Sequence, residues 1–202
     1  MSIKEFDLGL DCESIAKKVI DNRSNWVDRY ELFYTFGAAA YLDNKNPKPS
    51  LNKYQHRLKK YNKILKSEFG GVIESLCDYF KAELHDEIAC PGFHIFDERA
   101  NGFDASIHID TPYSNLSIYS DDFKNARSFT VLIQKPSSGA GLYVWDDKKT
   151  KRFIDYQIGI MYIHDCGLLH QIANDLNISK DEYRITLQGH VITFSGKTYI
   201  YF

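Results

Sequence analysis

The sequence predicts an α+β fold, with a helical N-terminal layer over residues 1–90 packed on one sheet of an antiparallel β-rich core over residues 91–202. Two textures carry this. The first region repeats apolar groups every three or four residues, whereas the second breaks into short runs rich in Ile, Val, Tyr, Phe and Thr, separated by Gly, Pro, Asn and Asp. Many short strands with turn signals between them argue for a sandwich or barrel, the eight-stranded jelly roll included. A chain of 202 residues is expected to form a single domain.

In chain order, helices are expected over Ser14 to Ile20, Trp26 to Tyr41 and Tyr54 to Leu84. The last carries Leu58, Tyr61, Leu65, Phe69, Val72, Leu76, Phe80 and Leu84 as one apolar stripe, which Gly70-Gly71 is placed to divide. Asp43 to Ser50 reads as a polar, proline-containing connector. Each stripe needs a surface to bury against, and the β-rich region supplies one. Strands are expected at Gly92 to Phe96, Ser106 to Ile109, Leu116 to Tyr119, Ser128 to Gln134, Gly141 to Trp145, Ile158 to Ile163, Leu169 to Ala173, Tyr183 to Thr193 and Thr198 to Tyr201.

A hydrophobic fraction of 44% with 26% charged residues belongs to an ordinary soluble globular chain. The net charge of −2 gives no general attraction to nucleic-acid phosphates, and Lys59, Lys60, Lys63 and Lys66 read as the solvated face of a helix. Cys12, Cys77, Cys90 and Cys166 form no C-x-x-C pair, so a zinc knuckle or thioredoxin-type site is not indicated and a reducing compartment is. With no basic-then-apolar leader and no run of roughly 18 apolar residues, the chain reads as cytoplasmic and without a membrane span.

The chemistry concentrates in three places. In His108-Ile109-Asp110 an imidazole and a carboxylate two residues apart on a strand point the same way and can share a metal ion. His170, which opens a strand after the turn at His164 to Leu169, is placed to be a third donor. Two His and one carboxylate on one face leave half of an octahedral iron open. In Arg184-Ile-Thr-Leu-Gln-Gly-His190 the polar residues alternate with apolar ones, so they line either a solvated exterior or the wall of a polar pocket. An Arg fork with a neighbouring hydroxyl suits a carboxylate ligand.

In order, the chain offers H-x-D, a hairpin ending Gly-Leu-Tyr-Val-Trp-Asp146, a distal His and then R-x-T. That pattern, over residues 91–194, resembles the 2-oxoglutarate-dependent Fe(II) oxygenases, whose core is a double-stranded β-helix of the jelly-roll, cupin-like type. The resemblance implies His108, Asp110 and His170 as Fe(II) ligands. It also implies Arg184 and Thr186 on the distal carboxylate of 2-oxoglutarate, dioxygen as the second cosubstrate, and hydroxylation with release of succinate and carbon dioxide. The interval from His170 to Arg184 is long for the family, which an inserted loop at Asn174 to Glu182 would explain. Related halogenases lack the carboxylate, so Asp110 favours oxidation without halide.

Tyr119, Asn115, Arg127, Gln134 and Gln188 are candidates for contacting the cosubstrate or substrate, and Asp97 to Ala105 and Pro112 to Asn125 are candidate lids. A small polar molecule such as an amino acid or metabolite is the expected substrate, with a protein side chain as the rival within the class. A ligand-binding jelly roll without catalysis, or a cupin-type metalloenzyme without 2-oxoglutarate, are the alternatives outside it. His164-Asp165 reads as a surface turn or as a partner to a ligand residue, His94 as a hydrogen-bonded barrel residue, His56 and His85 as exposed, and His190 as sharing the Arg184 face. Oligomeric state is not legible.

Overall fold

The computed structural model describes residues 3–43, 51–111, 116, 123–137, 139–146, 150–173 and 177–202. Among these, strand β1 (Lys4–Asp7) precedes helix α1 (Cys12–Asp21), whose first turn is capped by the Asp11 carboxylate accepting from Ser14 N at 3.1 Å. Then come β2 (Val27–Arg29), β3 (Phe33–Phe36), α2 (Ala40–Asp43) and the long α3 (Leu51–Phe80). The remaining strands are β4 (Gly92–Phe96), β5 (Lys124–Gln134), β6 (Gly141–Asp146), β7 (Thr150–Asp155), β8 (Ile160–Asp165), β9 (Leu169–Ile172), β10 (Arg184–Phe194) and β11 (Lys197–Tyr201).

The expected stripe on α3 is present but steps by one residue. Tyr54, Leu58, Tyr61, Leu65 and Phe69 are buried, the backbone leaves helical geometry at Phe69 (φ −128°, ψ 21°) beside Gly70-Gly71, and beyond it the buried set is Ile73, Leu76 and Phe80. Val72 is therefore only half-buried. The helix stops at Phe80, short of Leu84. Lys81 turns left-handed (φ 50°), and Lys81 N donates to Asp78 O while Ala82 N donates to Cys77 O, the pair of bonds that closes a Schellman terminus. Lys59, Lys60, Lys63 and Lys66 are all exposed.

Trp26 to Tyr41 is not the expected helix. It holds the β2–β3 hairpin, which turns through Tyr30 and Glu31 at φ 58° and 61°, with Glu31 N donating to the Asp28 carboxylate at 2.8 Å. Two non-glycine residues in left-handed geometry carry no Gly or Pro signal, and the aromatics on either side fall by chance at helical spacing. The Ser106 to Ile109 strand is also absent, since this stretch makes only an isolated bridge between His108 and His170. Leu116 lies outside any strand, and residues 117–119 of that expectation fall outside the described residues. β7 had no counterpart in the sequence reading. Five of its six residues are exposed, so it lacks the apolar alternation that marks a half-buried strand.

Among the described residues every pairing between two of these strands is antiparallel. The larger sheet runs β1-β8-β5-β10-β4-β3-β2, with β11 also on β10, and the smaller runs β7-β6-β9. β10 is the organising strand. It pairs with β5 along one edge, and its two halves pair with β4 (residues 184–188) and β11 (residues 190–194) along the other. Ile185, Leu187 and Val191 join Phe93, Val131, Met161 and Ile163 in one hydrophobic cluster with the buried sides of α1 and α3. Burying each such side chain is worth roughly 1.5–3 kcal/mol. Gly189 lets β10 approach its neighbours, because a Cβ there would meet both Phe129 Cζ and Tyr201 O at 2.6 Å. The opposite face of β10 looks into a cavity.

Candidate metal centre

The bridge between His108 and His170 is a reciprocal pair of backbone hydrogen bonds, 2.9 Å each way, and Asp110 N donates to Cys166 O at 3.0 Å. The main chain thus fastens the H-x-D segment against β9 and the turn before it. Each imidazole is then oriented by its own neighbourhood. His108 Nδ1 lies 2.8 Å from Ser106 O and His170 Nδ1 lies 2.9 Å from Leu168 O. A carbonyl only accepts, so both Nδ1 atoms carry the proton and both Nε2 lone pairs are free. Those Nε2 atoms face the same oxygen, Asp110 Oδ1, at 3.8 and 3.7 Å. The donor atoms of the three residues all lie within 4.8 Å of one another.

The set grades from open to closed. His108 is largely exposed, Asp110 is mostly covered and His170 is buried. Burial opposes the Asp110 charge, but His190, His170 and a hydrogen bond from Ser128 outweigh it, so the carboxyl stays below its usual range. Burial pushes His170 down to about 4, leaving it neutral and able to ligate at pH 7. A second group, Asp110 with Cys166 and His190, also gathers potential donors. Burial pushes its thiol up to about 12, so in the metal-free site Cys166 keeps its proton.

The triad opens into a cavity of ≈ 530 Å³ lined from both sheets. Arg184 lines it, almost fully buried, with its guanidinium 5.2 Å from the centre of the Phe96 ring. Of the two readings of β10, the pocket wall is the one seen: Gln188 and His190 share the lining with Arg184. Thr186 is fully buried behind it and accepts from Gln188 Nε2 at 3.1 Å. Tyr119 and Asn115 lie outside the described residues. Arg127 packs over Phe80 at 5.7 Å instead, and Gln134 lines a separate apolar groove beside α1. Of the two candidate lids, Asp97 to Ala105 contributes Phe103 and Ala105 to the cavity, and most of Pro112 to Asn125 is outside the described residues.

Several lining residues lie outside the set assigned from the sequence to the metal, the cosubstrate or the substrate. Tyr156 is buried beside Arg184, and burial raises its phenol to about 12 despite the pull of that guanidinium, so it keeps its proton. Tyr41 places its hydroxyl 2.8 Å from His94 Nε2 inside the cavity. Of the two readings of His164, surface turn or partner to a ligand residue, the surface turn is excluded: it is a buried wall residue with its ring 4.8 Å from that of His170. Ser128 sits opposite both His164 and His190. Strand registers, which one sequence does not display, bring these groups together.

Three imidazoles, buried His94 and His170 and half-buried His190, make a prediction about acid. Burial, with Arg184 adding to it, lowers His94 to about 3; burial lowers His170 to about 4 and also depresses His190. A depressed His pKa contributes stability that is full above the unfolded value near 6.5 and is lost as pH falls toward the folded value. The lowered Asp110 carboxyl acts in the same direction at lower pH. The metal-free protein is therefore expected to lose stability from about pH 6.5 down to pH 4, on the order of a few kcal/mol. Urea unfolding at pH 7.5, 6 and 4.5 checks it, and a constant midpoint would contradict neutral burial of these rings.

No protein-family model and no curated protein matches this sequence. Solved structures do match. An N-substituted L-amino acid dioxygenase from Burkholderia ambifaria, in complex with alpha-ketoglutarate, aligns at 13% identity over 95% of this chain and 91% of its own, TM-score 0.53. An oxidoreductase of the 2OG-Fe(II) oxygenase family from Burkholderia pseudomallei aligns at 11% identity over 96% and 85%, TM-score 0.55. The non-heme alpha-ketoglutarate-dependent epimerase of nogalamycin biosynthesis aligns at 13% identity over 95% and 77%, TM-score 0.50. The chain has the mixed helix and antiparallel-sheet fold of these oxygenases.

Proposed function

We propose that the chain is an Fe(II)- and 2-oxoglutarate-dependent dioxygenase on a double-stranded β-helix, the helices forming a layer on its larger sheet. One observation carries the reading: two imidazoles with free Nε2 lone pairs converge on one carboxylate oxygen, at the mouth of a cavity whose wall holds a buried arginine. Two His and one carboxylate fit a ferrous ion and leave coordination positions for other ligands. His108, Asp110 and His170 would hold the metal. Arg184 would take the distal carboxylate of 2-oxoglutarate, with Thr186 supporting that strand face and the protonated Tyr156 a donor beside it.

Bound iron and 2-oxoglutarate supply the oxidising chemistry, consuming dioxygen and releasing succinate and carbon dioxide. The chain's own residues bind and orient. His170 is the enclosed ligand and His108 the accessible one, so the substrate's approach is from the His108 side, between Tyr30, Phe103 and Ile109. Aromatic and apolar walls keep water from the reacting centre. Hydroxylation of a small polar molecule, such as an amino acid or metabolite, is the reaction proposed. The cavity has room for a molecule of that size beside the cosubstrate, and the Burkholderia ambifaria protein of the same fold is an amino acid dioxygenase.

The test is anaerobic addition of Fe(II) and 2-oxoglutarate. A visible metal-to-ligand charge-transfer band is expected, and its absence in metal-loaded protein would refute the assignment. Amino acids and metabolites that stimulate succinate formation in air then identify the substrate.

A further inference from the structure

We propose that Ser128 is a positioning residue for the metal-binding carboxylate, and that His190 holds Ser128 to that task; the inference deepens the iron-site reading above and rests on it. β5 lies between β8 and β10, and its register sets Ser128 directly opposite His164 on one side and His190 on the other. Residues directly opposite in antiparallel strands present their side chains on one face. A polar row therefore crosses three strands behind Asp110.

Within the row the protons have one arrangement. Ser128 Oγ hydrogen-bonds to Asp110 Oδ2 and lies 3.0 Å from His190 Nδ1. An ionised carboxylate only accepts, so the hydroxyl proton belongs to the bond with Oδ2. The hydroxyl oxygen must then accept, and His190 donates through Nδ1–H. The His190 ring is steadied from its other side by Tyr201, 5.5 Å between centroids. The result is a directional chain from His190 through Ser128 to Asp110 Oδ2.

Its effect is on the other oxygen. With Oδ2 tied back to the sheet, Oδ1 is the atom that both His108 Nε2 and His170 Nε2 face. The carboxylate is thereby committed to present one oxygen. Free to rotate, it would offer two and occupy two coordination positions, one of which the cosubstrate or dioxygen needs. Outer hydrogen bonds of this kind typically change metal affinity ten- to hundredfold.

Co(II) titration of the whole metal-free protein tests this, with affinity read by calorimetry and ligand geometry by the visible d–d absorption. Ser128→Ala is expected to bind Co(II) about ten- to hundredfold more weakly and to alter the d–d band. His190→Asn, which keeps an N–H near the place of Nδ1, is expected to recover most of the affinity that His190→Ala loses. A Ser128→Ala protein with the parent's affinity and spectrum would overturn the proposal while leaving the iron site standing. A parent protein that does not bind Co(II) overturns both. If Ser128→Ala does not fold, the His190 pair decides, and equal affinities for Asn and Ala overturn the role.

Discussion

Asp110→Ala is expected to abolish the metal-induced rise in unfolding temperature that is expected of the unaltered protein. A metal that binds only the folded state stabilises it by RT ln(1 + [M]/Kd), about 2.7 kcal/mol at a hundredfold excess over Kd. For a chain of this length that is a rise of roughly 5–10 °C. Asp110 supplies the only carboxylate in the triad and the oxygen on which both Nε2 atoms converge, so without it the two imidazoles have no anionic partner in the set. The metal-free variant is expected to unfold somewhat below the metal-free parent, because the lowered carboxyl stabilises the folded state at pH 7 and its hydrogen bond from Ser128 is lost, so the metal-induced shift is read against each variant's own metal-free protein. Arg184→Ala is the complementary case. It should keep the metal-induced shift and lose the further shift that 2-oxoglutarate adds. Thermal unfolding with Mn(II), alone and with 2-oxoglutarate, reads all of these, and an Asp110→Ala protein still stabilised by metal would remove His108, Asp110 and His170 as the binding set.

The triad was legible because its parts are chemically distinctive and lie in chain order, yet the reason given for H-x-D was only half right. The expected strand at Ser106 to Ile109 would have aimed His108 and Asp110 alike through strand alternation. In the structure two backbone bonds to His170 and one to Cys166 do so. β10 was legible as a two-faced strand because its period of two spans Arg184 to His190, while its choice between solvent and pocket depended on β4, β5 and β11 closing around it. Ser128 and Tyr156 were not legible as cavity residues: Ser128 is an ordinary strand residue until register sets it opposite His164 and His190, and Tyr156 lies in the loop after β7. His164 was read only as far as a surface turn or a partner to a ligand residue. The β2–β3 hairpin was misread because Tyr30 and Glu31 turn the chain without glycine or proline.

Asp43 marks the limit of reading polarity from sequence, and it carries the largest expected effect on stability. It opens a polar, proline-containing run, so it reads as solvated, but its side chain is 2% exposed and lies at the centre of a buried ion cluster. Arg29 donates to it twice, through Nη1 at 2.7 Å and Nη2 at 3.1 Å; Arg57 also pairs with it, and Ala39 N donates at 3.1 Å. Arg29 is itself buried and reaches Thr35 Oγ1 at 2.9 Å, so the cluster ties α2 and α3 to the β2–β3 hairpin. Asp43→Asn keeps the shape and removes the charge, leaving the Arg29 guanidinium buried without a counter-ion. Breaking a buried pair in this way costs about 3–5 kcal/mol, against a total stability of about 5–15 kcal/mol for a folded domain. If the loss comes from the stranded cation rather than from lost shape, removing that cation as well should restore part of it. The double variant Arg29→Met/Asp43→Asn is therefore expected to be more stable than Asp43→Asn alone, a coupling that denaturant unfolding of the two single variants, the double variant and the parent measures directly. A loss below about 1 kcal/mol for Asp43→Asn, in the range of exposed pairs, would mean that water reaches the cluster and that the hairpin is held to the helices by its apolar contacts instead.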